Sequence, residues 1–248
     1  MRGNGTSLAG ILVMVLLVIT AVGAGVGGAG WKRDLRVGAI RTEGNRIVTA
    51  ADILGSAGIH KGEKLLGLDL QAARARVLAN HFIKDASVTR EVPDRILISI
   101  TERSPVAAIV AEKMLYLDDE GYVLPAARSE HIFDLPILTG TLPAGECTPG
   151  KQVKAENVRD ALALLATARR MSDDLYRRIS EVHVEGEKDI VFYTSEFGVP
   201  VIFGRGDCGD KLAKFEAFWQ EFASRRGPQN LHSVDLRFTD QVVARWNQ

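Results

Sequence analysis

The chain begins with one unbroken apolar run and then settles into short alternating segments. From Leu8 to Val26, LAGILVMVLLVITAVGAGV carries no charged residue. A helix over these 19 positions comes close to spanning roughly 30 Å of hydrocarbon. The glycine-rich continuation to Gly30 adds length, and Trp31-Lys32-Arg33 has the make-up of an interfacial anchor. Residues 8–30 are therefore predicted to be a transmembrane anchor, preceded by a short cytoplasmic tail, 1–7. The same stretch also fits a cleaved signal peptide: Arg2 as its n-region, Leu8 to Val22 as its apolar region, and Val22-Gly23-Ala24 as its small-residue site. Both readings send the remainder to one side of a membrane. The charge rule alone, Arg2 against Lys32, Arg33 and Arg36, slightly favours the opposite orientation to an exported domain.

Behind the anchor, residues 36–104 read as one unit. RVGAIRTEG is a short strand ending in a Glu43-Gly44-Asn45 turn. Thr49-x-x-Asp52 is a capping box that opens a short helix, predicted to fade at Gly55 and Gly58. Asp69 caps a second helix, LQAARARVLAN, with Leu70, Ala73 and Val77 on one face and Arg74 and Arg76 directed away. Two strands follow, DASVTREV and RILISITER, joined at Pro93-Asp94, and Ile96, Ile98 and Ile100 share one face of the second. The order is strand, helix, helix, strand, strand.

Residues 106–248 form the second unit. VAAIV leads into a hairpin, MLYLDDEGYVL, and then LPILTG. A helix is predicted over about 154–170, with Val158, Leu162, Leu165 and Ala166 at helical spacing. Three strands follow: ISEVHVEG, DIVFYTS and VPVIFG. A second helix carries Leu212, Phe215, Phe218, Trp219 and Phe222 on one stripe, and HSVDLRF and QVVARW finish the chain. Runs of strands beside two helices predict an α+β domain, mostly antiparallel, with the helices on one face.

Composition adds little. The chain is 46% apolar and 25% charged, with 31 basic and 31 acidic residues, so its net charge gives no electrostatic argument for nucleic acid. Cys147 and Cys208 fit no zinc spacing, and nothing in their positions decides between a bond and two free thiols.

GRGDCG, Gly204 to Gly209, lies between a strand and a helix and has the outward form of a dinucleotide-binding turn. Such a site needs a parallel strand-helix-strand unit and an acidic residue about 20 positions on for the ribose. Counting on from Gly209 reaches Gln229, in a loop, while Asp235 lies inside a strand and Asp207 and Asp210 would repel a pyrophosphate. The segment is read as a glycine turn with Asp207 or Asp210 capping the helix. His60, His81, His131, His183 and His232 show no metal-ligand or catalytic spacing. Asp118, Asp119 and Glu120 are read as solvated hairpin carboxylates. No enzyme activity, cofactor, metal or small-molecule substrate is expected.

The ordered set Gly44-Asn45, Gly62, Ala86, Val88, Arg90, Pro93, Ile96, Ile98, Ile100, Glu102-Arg103 and Pro105-Val106-Ala107 resembles a POTRA domain of the bacterial cell-division family FtsQ/DivIB. YLDDEGYVLP, LPILTG and VDLRFTDQVVARW resemble that family's C-terminal β domain. The resemblance implies a single-span protein of the inner membrane at the division septum, with its N-terminus in the cytoplasm and its bulk outside. It implies a divisome scaffold that links FtsB and FtsL to septal cell-wall synthesis. It also implies that FtsB is received by strand addition at the chain's last strand, through Arg237, Phe238, Thr239, Asp240, Gln241, Val242, Val243 and Trp246. An outer-membrane assembly or secretion component also carries POTRA domains, but should show repeated units and a long barrel of amphipathic strands. A secreted periplasmic protein is the other alternative.

Overall fold

The computed structural model describes residues 13–18, 20, 35–110, 113–126, 133–140, 145, 147–186 and 188–247. Most of the expected anchor, with Trp31, Lys32 and Arg33, and also His131, lies outside the described residues. Residues 13–18 and 20 are helical and exposed. Among the described residues no helix is long and apolar enough to cross a membrane. The chain divides into two compact units, 1–102 and 103–248.

The first unit contains β1 (Ala39–Glu43), α1 (Ala50–Ala57), a 3-10 turn (Leu65–Gly67), α2 (Leu70–Leu78), β2 (Ile83–Glu91) and β3 (Arg95–Glu102). Its sheet runs β1-β3-β2, with β1 parallel and β2 antiparallel to β3. The Thr49 hydroxyl accepts the Asp52 amide at 3.2 Å and starts α1. The helix continues through Gly55 instead of fading there. It ends at Gly58, whose φ of 59° lies in the left-handed region that lets a chain leave a helix. Ile53, Ala57, Ala73 and Val77 are buried, as are Ile96, Ile98 and Ile100.

The arginines of this unit act differently from the amphipathic reading. Arg76 donates from Nε to the Ala57 carbonyl at 3.1 Å, at the end of α1. Arg74 donates to the Ala86 carbonyl at 2.6 Å and to Asp85 at 2.8 Å, and that bond holds the Asp85 carboxyl below its usual range. Both tie one element to another, because the guanidinium is long enough to reach a carbonyl of a neighbouring element. Glu102 has a similar role. Its carboxylate accepts from the backbone of Arg46, Ile47 and Val48, the closest at 2.7 Å. The carboxylate thereby satisfies the amides of the loop that follows Gly44-Asn45 and enters α1. Glu102→Ala leaves three amides without this acceptor. It should destabilise the first unit by about 2–3 kcal/mol, read as a lower urea midpoint, with a smaller loss for Glu102→Gln.

The second unit contains β4 (Pro105–Val110), β5 (Met114–Asp118), β6 (Val123–Leu124), β7 (Ile137–Gly140), α3 (Glu156–Met171), α4 (Asp173–Arg177), β8 (Ile179–Val184), β9 (Ile190–Thr194) and β10 (Pro200–Gly204). It then continues with α5 (Cys208–Phe218), which runs on through a π-helical turn, Trp219–Ala223, then β11 (Leu231–Asp235) and β12 (Val243–Trp246). The sheet order is β12-β11-β10-β9-β8-β7-β4-β5-β6. Among the described residues five of its eight neighbour pairs are antiparallel; β4 with β7, β7 with β8, and β10 with β11 are parallel. The parallel pairs arise where a helix or a long connection returns the chain to the starting end of the sheet.

Three expectations are corrected here. A helix beyond the two expected, α4, follows α3, because the Ser172 hydroxyl accepts the amides of Asp174 and Leu175 and restarts the helix. Asp118 is not a solvated turn carboxylate: it is 1% exposed and bonded to Arg103 at 2.6 Å. Leu212, Phe215 and Trp219 are buried, but Phe222 is 54% exposed. The core joins Phe192, Phe203, Phe215 and Trp219 with the apolar faces of α3 and the sheet. Phe192 and Phe215 meet edge to face at 5.1 Å. Cys147 and Cys208 are both half-buried against this core, and Cys208 is a free thiol. Burial, helped by nearby Asp160, pushes the Cys208 thiol up.

Candidate partner-binding edge

β10, α5 and β11 set the frame of the site. Gly204 and Gly206 take φ of 73° and 67°, so GRGDCG turns the chain from strand to helix through left-handed backbone. Asp207, at the start of α5, also has positive φ and makes no side-chain cap bond, so of the two expected candidates, Asp207 or Asp210, Asp207 is not the cap. β10 and β11 are parallel, and Asp235 ends β11 opposite Ile202. The strand-helix-strand unit and its terminal acid are thus present, contrary to the sequence reading. They do not form an open crevice. A Cβ on Gly204 would lie 3.0 Å from Cγ of Arg237 and 3.6 Å from Nζ of Lys211. Lys211 is 8% exposed and donates to the Arg205 carbonyl at 2.6 Å. Arg237 binds Asp235 at 2.6 Å and Asp189 at 2.9 Å. Saturating NAD or ATP should therefore leave the melting temperature unchanged. A ligand at one hundred times its dissociation constant would add about 2.7 kcal/mol, a shift of several degrees.

The same ion pairs shape the approach to the last strand. The hydrogen bond from Arg237 holds the Asp235 carboxyl below the usual carboxylate range, against the opposing effect of its partial burial. Asp235 and then Asp189 hold the Arg237 guanidinium firmly protonated. Lys214 of α5 donates to the carbonyls of Phe238 and Thr239 at 3.1 and 2.8 Å. Phe238 is 44% exposed, and Thr239, Asp240 and Gln241 are exposed. Val242 and Val243 are half-buried, and the half-buried Trp246 ring lies 5.3 Å below the Arg226 guanidinium.

β12 is the terminal strand of the sheet and spans Val243–Trp246, so Gln241 and Val242 precede it. It pairs antiparallel with β11, Val243 opposite Asp235 and Arg245 opposite Ser233. The Leu236 amide bonds to β10, at the Ile202 carbonyl, so by the period of two Asp235 and Ser233 turn their backbone groups toward β12. Val243 and Arg245 therefore face inward. Ala244 and, beyond it, Trp246 turn their N–H and C=O groups to the open side; the inward bond from the Asn247 amide to the Asn230 carbonyl fits the same alternation. Val242, Ala244 and Trp246 pack toward the helix-covered core. Sequence reasoning missed Asp189, Lys214 and Ala244. The first two reach the site from other elements and carry no local signal, and Ala244 becomes distinctive only once the register is known.

Residues 35–103 match the family model described as the FtsQ-type POTRA domain, so the first unit is a POTRA domain. Residues 104–245 match the model described as FtsQ/DivIB, C-terminal related. The chain belongs to the FtsQ/DivIB family. It is 31% identical over 247 residues to the cell division protein FtsQ of Anaeromyxobacter sp. (strain K), covering 96% of this chain and 83% of that one. It is 30% identical over 222 residues to that of Rhodothermus marinus, covering 87% and 79%. It is 28% identical over 233 residues to that of Geobacter sp. (strain M21), covering 91% and 84%.

Proposed function

We propose that the chain is a bitopic membrane scaffold of the cell-division machinery. Residues 8–30 cross the inner membrane, 1–7 stay in the cytoplasm, and both units lie outside it at the septum. The scaffold recruits FtsB- and FtsL-type proteins and links them to septal cell-wall synthesis, without chemistry of its own.

The observation that carries this reading is the open edge of β12, approached through the held segment Arg237–Asp240. An edge strand offers unpaired N–H and C=O groups as a template for a partner strand. A docking segment fixed in place beforehand reduces the ordering entropy lost on binding. The test is affinity capture of the full chain from membranes of its own cells. Recovery of two small coiled-coil membrane proteins of the division machinery supports the reading. Their absence, with the chain intact and at the membrane, overturns it.

A further inference from the structure

We propose, resting on the reading of residues 8–30 as a membrane span, that the end of the POTRA domain where the chain enters is a lipid-contacting surface. Two of its turns dip apolar side chains into the bilayer interface, with lysines beside them for the phosphates. The strip of chain that first enters the domain, 35–39, holds both turns. In the loop before α2, the Leu65 amide donates to the Leu35 carbonyl at 2.8 Å, and the Val37 amide to the Glu63 carbonyl at 2.9 Å. Arg36 donates from its guanidinium to the Gly62 carbonyl at 2.8 Å. In the turn between β2 and β3, the Asp94 carbonyl accepts the Gly38 amide at 2.7 Å. Both turns therefore lie at one end of the domain.

Each turn holds an apolar side chain out in water: Leu66 is 55% exposed and Val92 is 75% exposed. Leu66 has no route back into the core. Its neighbour Leu65 already fills the buried position. Arg90 clamps the turn on both sides by donating to the carbonyls of Leu65 and Leu68, at 2.8 and 2.5 Å. Single exposed apolar residues are ordinary on a folded domain. These two differ in sharing the end that the membrane anchor feeds. The exposed Lys61 and Lys64 flank the Leu66 turn. Their stems can lie along the acyl boundary while the ammonium groups reach the phosphates. The acids at this end are partly answered from within: Glu63 lies 3.0 Å from His60 and Glu91 lies 3.9 Å from Arg95, while Asp94 adds a third. Charge is thus nearly balanced, so apolar insertion leads and anionic lipid adds a smaller increment.

The tether decides the occupant. Only residues 31–35 separate the span from Arg36, roughly 20 Å of fully extended chain. The headgroup zone takes up about 5–7 Å of that. A folded partner of 100 residues has a radius of gyration of about 13 Å and does not fit the gap that remains. The lipid surface is always within reach.

The experiment uses the full chain, with Cys147 and Cys208 replaced by alanine, in bilayers of phosphatidylethanolamine and phosphatidylglycerol. A bimane label is placed at Leu66→Cys, at Val92→Cys or, as reference, at Lys84→Cys. Lys84 is exposed and lies eight residues back along β2 from Val92, roughly 26 Å away. Each labelled chain is checked for an unchanged melting temperature. Lipids carrying a nitroxide on the headgroup should quench the label at 66 and at 92 about threefold or more above that at 84. Leu66→Glu, in the chain labelled at 92, should roughly halve that quenching. Equal quenching at all three positions, in a chain that stays with the bilayer through an alkaline carbonate wash, overturns the lipid contact and leaves the anchor standing. Loss of the chain into the wash overturns both.

Discussion

Asp118→Ala is expected to destabilise the second unit by about 3–4 kcal/mol. The carboxylate is 1% exposed and holds three groups at once. It accepts the amides of Glu120 at 3.0 Å and Tyr122 at 2.7 Å, which close the β5–β6 turn. It also accepts Arg103 at 2.6 Å. The Arg103 side chain is only 12% exposed, lies 3.7 Å over the Tyr122 ring, and reaches Glu120 at 3.0 Å. Removing the aspartate leaves a guanidinium with one half-exposed partner and two amides without acceptors. Breaking a buried pair in this way costs more than the pair contributes relative to an apolar replacement. Asp118→Asn keeps an acceptor for the amides and should cost less. Urea unfolding followed by tryptophan fluorescence reads the difference; a change under about 1 kcal/mol for Asp118→Ala would contradict it.

Ala244→Pro should weaken partner binding by about a hundredfold or more while the fold survives. Ala244 lies opposite Val234 and, by the alternation of the ladder, turns its amide to the open side. Proline there removes a donor that no strand among the described residues uses, and its ring obstructs a strand laid alongside. Val243→Pro is a poor test by comparison. Its amide faces β11, so the change would loosen β12 itself and confuse folding with binding. Side-chain changes at Arg245, exposed and pointing away from the helices, should matter much less than the backbone change.

Much of this architecture is legible in the chain because local physics decides it. Thr49-x-x-Asp52 starts a helix wherever it precedes an apolar periodic run, and Ile96, Ile98 and Ile100 alternate as a half-buried strand must. Other features depend on groups distant in sequence. An acidic triple at a hairpin reads as solvent-exposed until Arg103, 15 residues earlier, is placed over Asp118. VPVIFG looks the same whether its neighbour runs parallel or antiparallel, so the β10–β11 pairing is hidden in the sequence. Phe222 sits at ideal spacing for the core, and only a π turn, with no distinctive composition, moves it out. At the candidate edge, the position of a strand near the chain's end is readable. Which of its amides point outward is not, because that depends on the register against β11.

Amide hydrogen exchange of the full chain, alone and with the FtsB-type segment, tests the central claim most directly. Free, the amides of Val243 and Arg245 should be protected by β11, and that of Ala244, with Trp246, should exchange readily. In the complex the Ala244 amide should become protected while the inward ones change little. Binding of the segment with no added protection at Ala244 would contradict strand addition at β12.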